Sequence, residues 1–442
     1  MSLSHLPALL SHCFAQLASC LQRRSQTRLV LLLVGILFAC RRRTVTAWFR
    51  AAGIGDDFRQ GYATVWAVGR RTPLLATQTF QAVKTLLPPG RLLVALDDTP
   101  TPRYGPEVQG AGIHHNPTPG PAGEKFVYGH VWVTLAALAK HADWATIALP
   151  LQASLYVRRK NLDALPTDQR PPFRTKLQQA AELLHWLKTW SGTRFSSLWA
   201  VTDGAYAQRP YLRAARQEGV VVVARLRKNA ALRSLPSIER REGQRGPLPT
   251  YGKDKIDLAK RAAQPGGWQQ VACVQYGKNV VKTVKTFEAT WRPAGGRIRV
   301  VIVKEEDVWL AFFCTDVAAS AVEILEAAAD RGALEQTFKG VKDVWGAGQQ
   351  QVRNVHASVG AFNLNLWMYS LLEVWSWAKP AAELVDRRAC PWDAEARRPS
   401  HADKRKALHR EILHQEIQAG LSGRPSKQRF RELAERLLQL AA

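Results

Sequence analysis

The chain has 442 residues, 46% of them hydrophobic and 22% charged, a composition that can bury a core and so excludes a disordered or fibrous protein. Lysine and arginine number 62 against 36 acidic residues, which gives a formal net charge of +26. So large a positive charge indicates a polyanionic partner, and nucleic acid is favoured over a ribosome-associated or membrane-surface role.

The N-terminal part, residues 1–88, is predicted to be helical. Apolar residues recur at helical spacing through residues 6–21 and 29–39. The longest apolar run, at 29–40, is shorter than the about 20 residues that cross a bilayer, and no small-residue cleavage site follows it. We therefore expect a buried helix there.

A short basic segment, RRRTVTAWFRAAGI at residues 41–54, follows that apolar run. We predict that Thr44 caps a short helix there, and that the helix projects Trp48, Phe49 and Arg50. A short basic helix after a buried one suits helix-turn-helix DNA binding. The sequence therefore predicts that the N-terminal helices form a DNA-binding domain.

The periodicity changes from helical to strand-like after the prolines at 88 and 89. In chain order we predict strands at 91–99, 126–138 and 145–157, a helix at 174–190, a strand at 198–206, a helix at 209–219 and a strand at 220–229. The first and fourth strands end in aspartate. This order of elements is that of a ribonuclease-H-like α/β core.

The segment at about 230–295 is basic, punctuated by Gly and Pro, and carries short β-like pieces, so we predict a β-rich insertion. Residues 297–316 are predicted to form a hairpin. A helix then carries Glu335 and ends at a glycine pair, and a buried helix follows. We thus expect a catalytic domain over residues 89–390 and a charged helical C-terminal region over 391–442.

Three acidic side chains are candidates for a metal site. Asp97 or Asp98, and Asp203, end predicted strands, where α/β proteins place their sites, and Glu335 follows the last strand. Three carboxylates in a basic chain suit hard divalent cations such as Mg²⁺. Two such ions, about 3.5–4 Å apart, can activate water and stabilise the leaving oxygen of a phosphodiester.

The six cysteines give no competing site. None forms a CxxC pair, so neither a zinc ribbon nor a redox motif is supported. We interpret the cysteines as reduced thiols of a cytosolic protein.

A helical signature surrounds the third acid. Arg331, Glu335 and Lys342 have the spacing Arg-x3-Glu-x6-Lys, and they follow DDT at 97–99 and DGAY at 203–206. With these three motifs in this order, the chain resembles the DDE transposases of bacterial insertion sequences. The resemblance implies a ribonuclease-H-like catalytic core with a β-rich insertion between the second and third motifs.

The resemblance covers roughly residues 91–354 and departs from the family at one place. The family's helix signature is Tyr-x2-Arg-x3-Glu-x6-Lys, and Ala328 stands where the tyrosine is expected. In that family the tyrosine, arginine and lysine of the signature help to hold DNA phosphates. The missing tyrosine affects one part of the predicted phosphate contact and does not affect the acidic triad.

The resemblance also implies the roles of individual residues. Asp97, Asp203 and Glu335 would be the catalytic acids and would hold two Mg²⁺ ions, for which Mn²⁺ could substitute. Arg331 and Lys342 would bind DNA phosphate.

Alternatives exist at four places. D-x-[ST] selects Asp97, but strand alternation does not decide between it and Asp98. Glu373 is a rival third acid, although it lies in an apolar helix without the signature's arginine and lysine. His114 and His115 are adjacent, and adjacent side chains rarely converge on one metal. Two tryptophans of the insertion, at 268 and 291, are candidates for base stacking. Packing in the core is the simpler interpretation of both.

The function that the resemblance implies is DNA transposition. Such a protein binds the terminal inverted repeats of its element as a homodimer, cleaves the strands by metal-assisted phosphodiester hydrolysis and joins the 3′ ends to target DNA. We expect it in the bacterial cytoplasm, at the nucleoid and with no membrane contact. Two alternatives stay open: a nuclease or resolvase with the same core, and a catalytically inactive transposase-derived DNA-binding protein.

Overall fold

The computed structural model describes residues 6–55, 58–115, 125–237, 246–306, 308–388 and 391–421, and the single positions 428, 431 and 434. The chain begins with five helices, which are α1 (Ala8–Ser19), α2 (Arg23–Phe38), α3 (Val45–Ala51), α4 (Phe58–Arg70) and α5 (Thr72–Lys84). The predicted helical N-terminal part is therefore confirmed in the described residues, and the apolar run at 29–40 lies mostly in α2.

The short helix α3 corrects part of the helix-turn-helix prediction. Thr44 caps it as expected, since its side chain accepts a hydrogen bond from the Ala47 amide. The prediction that Trp48 and Phe49 project outward is wrong, because both are completely buried while Arg50 is exposed. The basic flank suggested an outward recognition helix, but the aromatic side chains gain more by packing into the core.

The central sheet has the predicted α/β order. Its elements are β1 (Gly90–Pro102), β2 (Gly112–His115), β3 (Phe126–His141), β4 (Ala145–Tyr156), α6 (Arg159–Leu162), α7 (Lys176–Ser191), β5 (Phe195–Thr202), α8 (Arg209–Gln217) and β6 (Val220–Leu226). Strand β1 pairs antiparallel with β3 and parallel with β5; β3 also pairs with β4, and β5 runs parallel to β6. This arrangement confirms the ribonuclease-H-like core.

The insertion is β-rich and continues the same sheet. Its elements are β7 (Leu232–Arg233), β8 (Lys255–Ile256), α9 (Leu258–Ala263), β9 (Gln269–Gln275) and β10 (Lys278–Trp291), followed by the predicted hairpin of β11 (Gly296–Lys304) and β12 (Trp309–Cys314). Strand β12 pairs antiparallel with β6, and β11 pairs with β10. The insertion therefore extends the core sheet at the β6 edge.

Five helices complete the described chain, and they are α10 (Ala321–Asp330), α11 (Gly332–Asp343), α12 (Val355–Ser376), α13 (Ala381–Leu384) and α14 (His401–Leu421). Helix α12 is buried almost throughout and shares one hydrophobic core with the N-terminal helices, so that core continues across residue 88. None of the described helices combines the length and apolar character that a membrane span requires.

Helices α4 and α12 approach each other at two glycines. A β-carbon at Gly69 would lie 1.8 Å from the His356 carbonyl oxygen, and one at Gly360 would lie 2.1 Å from the Val65 carbonyl oxygen. No side chain fits between the two backbones at this point. The close crossing fixes the N-terminal helices against the helix that covers the sheet.

Candidate active site

The first two acids lie on neighbouring strands. Strands β1 and β5 run parallel, with Leu96 paired to Thr202, and Asp97 and Asp203 directly follow these two paired residues in the chain. Asp97 is still inside β1, whereas Asp203 follows the end of β5 and is exposed. The two aspartates thus occupy matching positions on neighbouring strands, at the carboxyl end of β5. Sites in α/β folds lie at the carboxyl ends of strands.

Glu335, the third predicted acid, is linked to Asp97 through an arginine. Arg331 lies at the junction of α10 and α11, and its guanidinium donates hydrogen bonds to two carboxylates. Nη1 is 2.6 Å from Asp97 Oδ2, and Nη2 is 3.2 Å from Glu335 Oε1. Asp97 and Glu335 therefore both accept hydrogen bonds from the same arginine side chain.

Apolar packing sets the position of α11. Leu334 and Phe338 are buried in a cluster with small residues of β1, β3 and β4, including Ala95 and Ala136. The Thr337 hydroxyl also donates to a carbonyl oxygen of β4 at 2.9 Å. The helix lies across the strands with its apolar side chains against the sheet, and Glu335 beside them faces solvent.

Burial raises the pKa of Asp97 to about 6, although Arg331 opposes this effect. The negative charges of Asp98 and Asp203 act in the same direction as burial and also raise the pKa of Asp97. A partly buried carboxylate under such repulsion gains from a nearby cation.

Asp98 is directed to other partners. Lys176 on α7 donates to its Oδ2 at 2.5 Å, and the Tyr206 hydroxyl donates to its Oδ1 at 3.1 Å. Among the described residues, neither Arg331 nor Glu335 forms a hydrogen bond with Asp98. No sequence pattern pointed to Lys176, whereas Tyr206 belongs to the DGAY motif.

Lys342 lies two helical turns beyond Glu335, and burial lowers its pKa. It lines a cleft of about 990 Å³ that also contains the side chains of Arg41, Arg42, Tyr104 and Arg353. Sequence reasoning missed this cleft, because its basic residues come from three separate parts of the chain. We call it the basic cleft.

The rival third acid has its own partners. Glu373 is buried, its Oε1 is 2.6 Å from His401 Nδ1, and its other oxygen accepts a hydrogen bond from Lys404. Burial alone would raise the pKa of Glu373, but Lys404 and His401 outweigh burial and lower it to about 2. Glu373 thus forms a buried ion pair away from Asp97.

The remaining candidates take structural positions. Trp291 packs against Phe313 inside the sheet core. Trp268 is half-buried, and the ammonium group of Lys285 lies 4.7 Å from the centre of its ring. His114 is buried, with its Nε2 unpaired among the described residues, and His115 is exposed.

The candidate acids supply the type of ligand atom that a hard divalent cation prefers, but they are not gathered into one ligand set. Asp97, Asp203 and Glu335 offer carboxylate oxygens, and the raised pKa of Asp97 marks a place where positive charge is favourable. Arg331 supplies that charge between Asp97 and Glu335. Within the described ranges, no three His, Cys, Asp or Glu side chains lie close enough together to bind one metal ion.

Comparison with known proteins gives the family. A sequence profile described as DDE superfamily endonuclease matches residues 16–295, more than half of the chain. The match ends before Arg331, Glu335 and Lys342. A search of curated proteins found no match. Members of this superfamily act on DNA and generally use divalent metal ions. The chain belongs to the DDE superfamily endonucleases.

Proposed function

We propose that this protein is a DNA transposase. It binds the ends of its insertion sequence, cleaves the strands there and joins the freed 3′ ends to target DNA. The finding that carries the proposal is the contact of Arg331 with both Asp97 and Glu335. That contact joins the first motif to the helix signature, across 234 residues between Asp97 and Arg331.

Asp97, Asp203 and Glu335 are the residues that would hold the metal. Two bound Mg²⁺ ions would supply an activated water and stabilise the charge on the leaving oxygen. The chain itself contributes the positions of the carboxylates and a fixed arginine beside them. Because Arg331 is placed by a helix junction and not by a loop, its positive charge is already in place when phosphate arrives.

The basic cleft supports a path for DNA. It begins at Lys342 on the helix that carries Glu335 and leads to Arg41 and Arg42 beside the N-terminal helices. Phosphate contacts from such side chains position a duplex without reading its sequence. The cleft thus runs from the helix that carries Glu335 to the region that we propose recognises the element ends, where the protein acts as a homodimer.

The test is strand cleavage by the variant Glu335→Gln. The substrate is a plasmid that carries the DNA flanking the gene on both sides, incubated in Mg²⁺ and analysed as nicked circles on a gel. The variant keeps the size of the side chain and loses its charge, so we expect DNA binding to survive. The nicking rate should fall by at least about 10²- to 10³-fold, the typical loss of one transition-state electrostatic contact.

The matched control is Glu383→Gln. Glu383 is an exposed glutamate that pairs with Lys379 four residues away, as Glu335 pairs with Arg331, but it lies on α13. Its loss should leave nicking unchanged. Equal nicking by wild type and Glu335→Gln would reject Glu335 as a catalytic acid. DNA binding without nicking by the wild type would identify a transposase-derived DNA-binding protein.

A further inference from the structure

The turn between β9 and β10 places a tyrosine in an unfavourable backbone conformation. The turn consists of Tyr276 and Gly277, with φ of 53° and 77°. Two-residue turns with both φ values positive favour Asn-Gly or Gly-Gly, because a side chain at the first position is strained. Tyrosine at that position is locally disfavoured, and such strain calls for a reason outside the turn.

The tip of the β9–β10 hairpin contacts α10 and the start of β4. Val274 donates its amide to Glu326 on α10 at 2.9 Å. On the other side of the turn, a β-carbon at Gly277 would lie 2.9 Å from the β-carbon of Ala145, so the backbone is already in close contact there. The tip therefore has a fixed place at the end of α10.

The tyrosine side chain lies over the start of α11. A β-carbon at Gly332 would lie 3.0 Å from Cε1 of Tyr276 and 3.8 Å from its hydroxyl oxygen. Gly332 follows Arg331 directly and precedes Glu335 by three residues, so the ring lies at the start of α11 on the side that also carries Glu335. Glycine is the residue that leaves room for the ring.

Tyr276 is nevertheless open to solvent. Its side chain is 73% exposed, and no hydrogen bond to its hydroxyl is present in the described part of the chain. Tyrosine hydroxyls are among the groups that donate to phosphate oxygens in protein–DNA complexes. The chain as a whole has a net charge of +26, and Gly332, which the ring faces, is the residue after Arg331.

We propose that Tyr276 is a DNA-contacting residue, whose hydroxyl donates a hydrogen bond to a phosphate of the strand bound at Asp97 and Glu335. The proposal rests on the proposed function, because it assumes that DNA enters that site. It adds a residue from the insertion to a site otherwise built from the core sheet and α11. Such a contact fixes the strand beside the acids before cleavage.

The test measures DNA affinity and nicking separately. Affinity is measured by fluorescence anisotropy with a nicked duplex of arbitrary sequence, since a phosphate contact weakens binding to all sequences alike. Tyr276→Phe keeps the ring and removes the hydroxyl. Tyr276→Asn removes the hydroxyl and gives the turn a residue that it prefers. Both variants should bind about tenfold more weakly, the typical cost of losing a hydrogen bond to a charged group.

Thermal unfolding separates this effect from damage to the fold. Tyr276→Asn should melt no lower than wild type, because it relieves the turn. The matched control Val281→Ala changes another exposed side chain on the same hairpin and should leave affinity unchanged. Gly332→Ala should weaken binding by displacing the ring, and should have no further effect in a Tyr276→Asn background.

The two readouts distinguish the two hypotheses. Wild-type affinity in both Tyr276 variants overturns the role of Tyr276, and nicking by the wild type then still supports the transposase. Weakened binding without any nicking supports the contact and rejects the proposed function. An effect of Gly332→Ala that persists in the double variant would mean that α11 itself was disturbed, and would also overturn the assignment.

Discussion

Asp97 and Arg331 form a hydrogen bond of 2.6 Å, although they are 234 residues apart in the chain. The same guanidinium contacts Glu335, so a single side chain ties β1 to the start of α11. The partly buried carboxylate of Asp97 would otherwise be costly at neutral pH. The arginine offsets part of that cost and orients the acid.

The choice between Asp97 and Asp98 can be tested by paired substitutions. Asp97→Asn removes the charge that faces Arg331 and should lower the nicking rate by at least about 10²-fold. Asp98→Asn removes the charge that faces Lys176 and should lower the rate by less than about tenfold, because a partly exposed ion pair contributes little. Plasmid nicking under identical conditions checks both, and the reverse order of effects would make Asp98 the first acid.

The bridging role of Arg331 predicts that lysine cannot replace it. Arg331→Lys keeps one positive charge but loses the planar fork that contacts both carboxylates. We expect nicking to fall by about 10- to 100-fold, the typical cost of one or two hydrogen bonds to charged groups. The control is Arg297→Lys, at an exposed pair with Glu288 on the sheet, which should nick as wild type does. Normal nicking by Arg331→Lys would show that charge alone suffices.

The buried pair of Glu373 and Lys404 predicts a pH-dependent loss of stability. Glu373→Gln leaves Lys404 buried without its counter-charge, which should lower the free energy of unfolding by about 3–5 kcal/mol at pH 7. The folded pKa of Glu373 is about 2, below its ordinary value of 4.5, so the wild-type advantage is fully present above pH 4.5 and is lost as pH falls through about 2. Urea unfolding of both proteins at pH 7 and pH 3 measures the gap, and a gap that widens at pH 3 would contradict the assignment.

The basic cleft predicts a change in salt dependence. Affinity for duplex DNA should fall steeply with salt, because each neutralised phosphate releases counterions. Replacing Arg41 and Arg42 by glutamine should reduce the slope of log affinity against log salt by about two. The control replaces Arg23 and Arg24, two exposed arginines at the start of α2, and should leave the slope unchanged.

The strands of the core were predictable from sequence because they are short apolar runs bounded by turns. The segment RLLVALDDT could hardly be anything other than a buried strand, and it forms the middle of β1. The orientation of single side chains was not predictable. Periodicity shows that Trp48 and Phe49 lie on a helix, but it does not show which neighbour covers them.

Partners distant in sequence were equally hidden. The helix signature indicates that Arg331 and Glu335 share a face, yet nothing in it shows that Arg331 reaches Asp97. Glu373 was expected to lie in an apolar helix, and it does, but its pairing with His401 and Lys404 depends on how α14 packs. Such contacts arise from the tertiary arrangement and leave no trace in local spacing.

The glycine crossing of α4 and α12 has a consequence for where DNA is cut. Backbone contact at Gly69 and Gly360 holds α4 against α12, which in turn packs on β4 of the core sheet. In a transposase with this fold, a DNA end bound by those helices would lie at a constant distance from the acids. The packing of the helices would then set the number of base pairs between the recognised sequence and the cleaved phosphate. Inserting half a turn of duplex would carry that phosphate to the far side of the DNA, away from Asp97.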